Sequence, residues 1–504
     1  MTERTFWGHP AGLATLFFTE MWERFSYYGM RGLLILYMTA PRAAGGLGYD
    51  TARAGAIYGL YVGSVYLVCL PGGWLADRFL GTRRATAWGG ALILAGHVCL
   101  AVPLADTFWV GLGLVVGGTG LLKPSISSLV GELYAAGDVR RDAGYSLYYM
   151  GINLGALLAP LVCGWLALSE AARGWLRALG LAPELAWHWG FGAAALGMAC
   201  GLLQFMRGGA RLPVAALKPQ RPADASARYR LYYGLGGALL VGAAVLLAAS
   251  GEWLSVSGLS NAFGGLLLVV AAGFFLTVLR ATHWTRQERG QLGVIVLLFV
   301  AASVFWSLFE QAGSTLTLFA ARNTNLQWGQ EAFPATYFLA LNPLLIILLS
   351  PLFAWGWTRL GARNPASMVK FTLGLVLVAA GFGVLILAAQ LAATGVKVSP
   401  WWLCATYFLH TLGELCLSPV GLSAISRLAP AQIASLTMGV WFLASAVGNY
   451  LGGRAASLYD TFALPSLFGA VAGLALLAAV VLAAFIPYAG QLLARPAAPP
   501  GVSP

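Results

Sequence analysis

The chain has 504 residues, of which 59% are hydrophobic and only 10% charged, and its mean hydropathy is +0.76. A soluble fold of this length could not hide so much apolar surface, so composition excludes a water-soluble domain and indicates an all-α polytopic membrane protein. The formal net charge of +12 comes from basic residues scattered through short loops, which argues against a nucleic-acid partner.

A bilayer-spanning helix needs about 20 largely apolar residues. In chain order, about fourteen stretches qualify: 13–40, 54–76, 85–104, 108–135, 143–168, 186–206, 231–250, 260–279, 292–320, 332–357, 368–393, 400–426, 432–453 and 463–488. "MTERTFWGHP" at the start is too polar for a cleavable signal and runs into a long, charged helix. After the sixth span, "RGGARLPVAALKPQRPADASARYR" has no apolar period and reads as a linker. The expected organisation is a six-helix bundle over 1–206, a linker with two inserted helices over 207–290, a second six-helix bundle over 291–490 and a tail over 491–504.

If the N-terminus is inside, the inner loops hold seventeen Lys and Arg residues and the outer loops seven. Positive charge resists translocation, so both termini are expected in the cytoplasm, with the chain spanning the inner membrane. A trace of repetition supports the two halves. "PGGWLADRFLGTRR" from Pro71 and "PLFAWGWTRLGARN" from Pro351 share Pro, Leu, Gly and Arg at an offset of 280, each after the second helix of a half. Two such halves with a site between them form a transporter architecture.

The first span carries charges that lipid would reject. At 100° per residue, Glu20, Glu23, Arg24, Tyr27, Tyr28 and Arg31 fit an arc of about 140°. Glu20 and Arg24 form an (i, i+4) pair in the favourable orientation. Charges within spans pair or meet water and mark functional sites by default. The face reads as the wall of a wet cavity, the alternative being a salt-bridged seam between helices. Lys123, one of four lysines, sits mid-span in "GGTGLLKPSISS". Glu310 sits in "FWSLFEQAGS", one turn after Trp306. Glu414 shares a helix face with His410 and Ser418. Pro124 and Pro419 directly follow Lys123 and Ser418 at matching places in the two halves, where a broken helix would mark a transport site and a plain packing kink is the alternative.

The first half contributes Arg24, Arg31 and Lys123, with Glu20 and Glu23 as partners, and the second Glu310 and Glu414 with no intramembrane cation of its own. A cavity between the halves would set cations against acids, which suits a zwitterion. A dipeptide, with termini about two Cα spacings of ~3.8 Å apart, would bridge opposed walls better than a single amino acid. The six cysteines all fall in apolar runs without a CxxC, and the five histidines show no paired spacing, so neither metal nor cofactor is expected.

"EMWERFSYYGMR" resembles the ExxERFxYYG signature of the proton-dependent oligopeptide transporter family. "GTGLLKPSISSLVGELY", "YMGINLGALLAP", "FWSLFEQAGST", "LNPLL" and "LGELCLSPVGLS" resemble its other conserved segments, in order from about residue 10 to 490. "GGWLADRFLGTRR" resembles the loop motif of the wider major facilitator superfamily. The resemblance implies the major facilitator fold with the inserted pair found in bacterial members. It assigns Glu20, Glu23 and Arg24 to proton coupling. Arg24, Arg31 and Lys123 match residues that handle the peptide carboxylate or form gate bridges, and Glu310 the acid that pairs with Arg31. Glu414, Asn153 and Asn342 match groups that hold the amino end. Tyr27, Tyr28, Tyr66, Trp306, Ser418 and Trp441 match pocket-lining positions; without the resemblance Tyr27, Tyr28 and Trp441 read equally as packing residues. No histidine stands in the second helix, where mammalian relatives carry one.

The function expected is proton-coupled import of di- and tripeptides by a monomer, with protons and membrane lipid as the other partners. The alternatives are an amino-acid or drug transporter of the same superfamily and a non-transporting nutrient sensor; nothing in the sequence supports an enzyme.

Overall fold

The computed structural model describes residues 5–135, 138–219, 226, 229, 255–281, 284–329, 331–428 and 434–489, with side chains for all of these except 105, 362, 418–427, 434–438 and 440. The expected span at 231–250 lies outside the described residues.

A small hairpin, β1 (Thr5–Phe6) and β2 (His9–Pro10), precedes α1 (Gly12–Thr39). The first group of helices continues with α2 (Thr51–Leu75), α3 (Thr82–Ala101), α4 (Ala105–Glu132), α5 (Arg141–Leu168), the short α6 (Glu170–Ala178) and α7 (Ala186–Gly208). Then come α8 (Val256–Arg280), α9 (Arg286–Phe309), α10 (Thr315–Asn323), a second hairpin of β3 (Gln327–Trp328) and β4 (Glu331–Ala332), and α11 (Leu341–Leu360). The described chain ends through α12 (Ser367–Ala392), α13 (Trp401–Leu428), α14 (Ala434–Ala456) and α15 (Leu464–Ala484).

The helices pack in two groups. In the first, α1 lies against α5 and α7, α3 between α4 and α7, and α2 against α4. In the second, α12 lies between α13 and α15, α9 against α14 and α15, and α11 against α13. The groups meet chiefly where α2 runs along α14 and where α5 meets α11 and the 3-10 turn Ala335–Ala340 before it, and α1 also reaches α10 and the turn ahead of it. α8 seals the first junction from outside, where the Tyr450 hydroxyl donates to the Ser260 carbonyl at 2.8 Å.

Small residues set how closely α2 and α14 approach. A Cβ at Gly59 would stand 2.8 Å from the Tyr450 carbonyl oxygen, and one at Gly453 would collide with the backbone of Gly59. Without a hydrophobic drive between helices in lipid, such backbone-to-backbone packing is what holds spans together. Beside it, Arg322 at the end of α10 donates to Asp460 at 3.1 and 3.2 Å and to Thr51 at 3.2 Å, and Thr51 also bonds Asp460. This polar clasp ties the start of α2 to the second group at the end of the molecule opposite the N-terminal hairpin.

The repeated loop motif has a structural counterpart. Gly81 after α2 has φ 78° and Gly361 after α11 has φ 49°, so both stretches leave their helix through a glycine with positive φ. Three expectations are corrected. The stretch 292–320 is not one helix: α9 stops at Phe309, a 3-10 turn covers Glu310–Gly313, and α10 follows. Position 313 in this turn must be glycine, because a side chain there would meet the Tyr58 hydroxyl and the Arg31 guanidinium. The stretch 332–357 becomes helical at the 3-10 turn after Pro334, with α11 starting only at Leu341, because the second hairpin takes its first residues. Pro124 and Pro419 do not break their helices, which run on through both.

Candidate functional site

The polar face of α1 divides into two clusters with different neighbours. The lower cluster stays within the first group. Arg24 lies 3.3 Å from Glu20 and donates from Nη2 to Glu23 at 2.7 Å, with a second bond from Nε to the same carboxylate. All three are almost fully buried. The Arg24 guanidinium stands 5.0 Å from the Tyr27 ring centre, and Lys123 on α4 sits 3.9 Å from that of Tyr66 on α2. Cations over ring faces are stabilised where water is scarce.

The upper cluster crosses between groups. Arg31, two turns along α1, donates from Nε to the Tyr58 hydroxyl at 2.7 Å and from Nη2 to the Glu310 carboxylate. It also reaches the Glu310 carbonyl at 3.4 Å. That carbonyl is free to accept because the helix has given way to the 3-10 turn. The interruption between α9 and α10 therefore delivers both acceptors of residue 310 to the cation.

These side chains border a cavity of about 210 Å³ between the groups. Tyr28, Arg31 and Tyr66 line it from the first two helices, Tyr149 and Asn153 from α5, and Trp306, Glu310, Asn342, Tyr407 and Glu414 from the second group. Asn342 donates to the Glu414 carboxylate at 2.9 Å and to Thr411 at 3.1 Å. Asn153 donates to the Tyr149 backbone carbonyl at 3.0 Å, and both residues line the cavity from one turn of α5. The Trp306 indole N–H is buried without a partner among the described residues. Arg31, bridged to Glu310, and Glu414, held by Asn342, thus bring opposite charges to one chamber.

Of the residues singled out from sequence, Tyr28, Arg31, Tyr66, Asn153, Trp306, Glu310, Asn342 and Glu414 meet at this cavity. Glu20, Glu23, Arg24, Tyr27 and Lys123 do not line it; they lie in the buried cluster beside it, with Tyr66 touching both. Trp441 is half-buried on α14 and outside the lining, and the Ser418 side chain lies outside the described residues. His410 borders the cavity, but its ring turns towards α12, centred 5.1 Å from Phe382 and packed against Gly381. Sequence reasoning missed Tyr58, Tyr149 and Tyr407. The available signal was tyrosine within otherwise apolar spans, where a buried hydroxyl needs a polar partner.

The family model "PTR2: POT family" matches residues 83–471. The peptide transporter YePEPT of Yersinia enterocolitica subsp. palearctica is 41% identical over 465 residues, spanning 89% of this chain and 88% of its own length. A di-/tripeptide transporter of Lactococcus lactis subsp. cremoris is 37% identical over 494 residues, spanning 94% of this chain and 96% of its own. A crystal structure of a peptide transporter POT in complex with sulfate superposes with a TM-score of 0.89 at 40% identity, covering 97% of both chains. With fold, motifs and chain length all matched, this chain belongs to the POT family and has the helical major facilitator fold of that family's solved members.

Proposed function

We propose that this protein is a proton-coupled symporter that imports di- and tripeptides by alternating access. It works as a monomer in a bacterial inner membrane, with both termini in the cytoplasm. The observation that carries this reading is the cavity between the two groups, with Arg31 on one wall and Glu414 on the other. A zwitterion satisfies both: its carboxylate displaces Glu310 as the partner of Arg31, and its ammonium pairs with Glu414, which Asn342 orients and Asn153 faces from α5. Tyr28, Tyr66 and Trp306 supply aromatic walls for the peptide side chains. Ser418 and Trp441 complete the pocket in other states of the cycle. The named peptide transporters among the relatives support the same substrate class.

With the termini inside, the end closed by Arg31–Glu310 and by the Thr51–Asp460–Arg322 clasp faces outward. Protonation of Glu310 removes its charge, weakens the bridge to Arg31 and frees that end to open. Glu20, Glu23 and Arg24 form the inner relay, and Lys123 lies near enough to respond to their charge through Tyr66. A proton moving inward gains about 2.3 kcal/mol per 100 mV, and each pH unit adds about 1.36 kcal/mol. Either drives roughly tenfold or greater accumulation of a neutral zwitterion.

The test is uptake of labelled dialanine, alongside free alanine, into proteoliposomes under an imposed inward proton gradient. Accumulation of dialanine that a protonophore collapses is the expected result. Uptake of alanine alone would move the protein to amino acids, and binding without flux would make it a sensor.

A further inference from the structure

The N-terminal hairpin has a turn whose residues do not suit its backbone. Thr5 pairs with Pro10 and Phe6 with His9, leaving Trp7 and Gly8 as a two-residue connection. Both have positive φ, 49° and 81°, the pattern of a type I′ turn. Such turns favour Asn-Gly, and a bulky residue at the first position is strained. Trp7 is the only non-glycine with positive φ among the described residues. Its ring stacks on Phe6 at 4.7 Å and remains largely exposed. Local conformational preference does not account for a tryptophan here, so its side chain requires another explanation.

The ring lines a second cavity, of about 540 Å³. That cavity lies between α5, at Ser146, Tyr149 and Asn153, and α11, at Ile346, Ser350 and Pro351. Tyr149, Asn153 and Ile346 also line the central site, so the two spaces are consecutive. The second space thus adjoins the site on the side of the terminus-bearing end, and the Trp7 ring forms part of its wall.

Among the described residues, the side-chain hydrogen bonds that hold the hairpin come from the first group. His9 Nδ1 lies 2.9 Å from the Tyr134 hydroxyl at the end of α4, and Arg140 donates to the Gly8 carbonyl at 3.0 Å. Asp138 holds Arg140 through two further bonds, at 2.8 and 3.1 Å. Those bonds keep the Asp138 carboxyl down at about 2, so this anchor stays ionised throughout the pH range of transport. The hairpin must therefore travel with α4 and α5, while Pro351 and Ser350 opposite belong to the other group.

We infer that Trp7 is a gating residue of the release passage: when the two groups close at this end, its ring is carried onto α11 at Ser350 and Pro351 and plugs the route from the peptide site. The inference rests on the proposed transport cycle for its direction, but the closing contact can be read without transport. A strained turn is tolerated because the ring, not the turn, is what the position needs.

Trp7→Asn separates the two roles, since Asn suits the turn better than Trp and removes the plug. In a background with the native cysteines replaced, S350C is alkylated by a maleimide applied from the hairpin side, and dialanine uptake is measured in the same preparations. Loss of the plug should shift the population towards the open passage: about fivefold faster alkylation and about fivefold lower proton-driven uptake, with an unfolding temperature no lower than the parent's. Trp7→Phe should restore both. If Trp7→Asn is alkylated and transports as the parent does, Trp7 is only a turn residue and the inference fails. Faster alkylation of Trp7→Asn than of the parent, with neither moving dialanine, would keep the gate and discard the substrate.

Discussion

Arg24 and Arg31 stand two turns apart on one face of α1, yet their pairings have opposite consequences for motion. Arg24 is neutralised by Glu20 and Glu23 of its own helix, so its bonds survive any rigid movement of one group against the other. Arg31 is neutralised by Glu310, which arrives from the second group through the break between α9 and α10. Separation of the groups at that end must break this bond. A cluster internal to a rigid body can store or relay charge throughout a cycle, whereas a pair spanning two bodies can only report or control their separation. In the proposed cycle the same residue types would thus serve as a relay in one place and as a latch in the other.

Substitutions can test this contrast. The largest expected effect is at the relay. Glu23→Gln leaves a buried Arg24 with one acid, a change that costs about 3–5 kcal/mol where buried pairs are broken. Proton-driven dialanine uptake should fall to background, while peptide counterflow remains measurable. Full pH-driven uptake in this variant would remove Glu23 from coupling. Glu310→Gln should instead weaken the latch: uptake lower by about tenfold, dialanine affinity within about threefold, and faster labelling of a cysteine at Thr51 from the Asp460 end. Equal loss of uptake and binding, with no change in labelling, would mean that the Arg31–Glu310 pair only holds the fold together.

Glu414→Gln tests the far wall of the cavity. Losing a charge-assisted bond worth about 1.5–3 kcal/mol should raise the KM for dialanine roughly 10- to 100-fold. N-acetylated dialanine, which lacks the ammonium, should bind parent and variant alike; a variant that still prefers the free amine would place the amino end elsewhere. The smallest effect is expected at Gly453→Ala, where a methyl group is forced against Gly59. Overpacking of this kind costs about 1–3 kcal/mol. The unfolding temperature should drop and Thr51→Cys labelling rise, whereas Gly473→Ala on α15, with open space beside it, should change neither.

Much of this arrangement was legible before any coordinates. Apolar length located most of the described spans to within a few residues, because a helix crossing lipid must satisfy its own backbone and cover it with hydrocarbon. The 100° rule put Tyr28 and Arg31 on one face, and the motif resemblance linked them to Asn153, Asn342, Glu310 and Glu414. The break after Phe309 was not legible, since Gly313 and Ser314 sit in a run apolar enough to read as helix. The groups that require glycine at 313, the Tyr58 hydroxyl and the Arg31 guanidinium, lie far away in sequence. The inward turn of His410 was hidden for a similar reason: periodicity gives the angle of a residue about its own helix axis, not the gap that Gly381 opens on the neighbouring one. The short α6 fell below the length of a span and reads as a loop in a search tuned to bilayer thickness, although Ser169 caps it and Glu170 pairs with Arg173 at 2.7 Å.

The sequence by itself determined that the chain spans a membrane, that charges too costly for lipid gather on the first helix, and that two further acids, Glu310 and Glu414, lie in spans of the second half. These follow from transfer free energy and helical geometry, which act residue by residue. Only the tertiary structure decided which charges meet. Arg24 closes its circuit within four residues, while Arg31 finds Glu310 across 279 positions because Gly313 leaves room for it. Whether a buried charge is a relay or a latch depends on which body supplies its partner, and that is a property of packing.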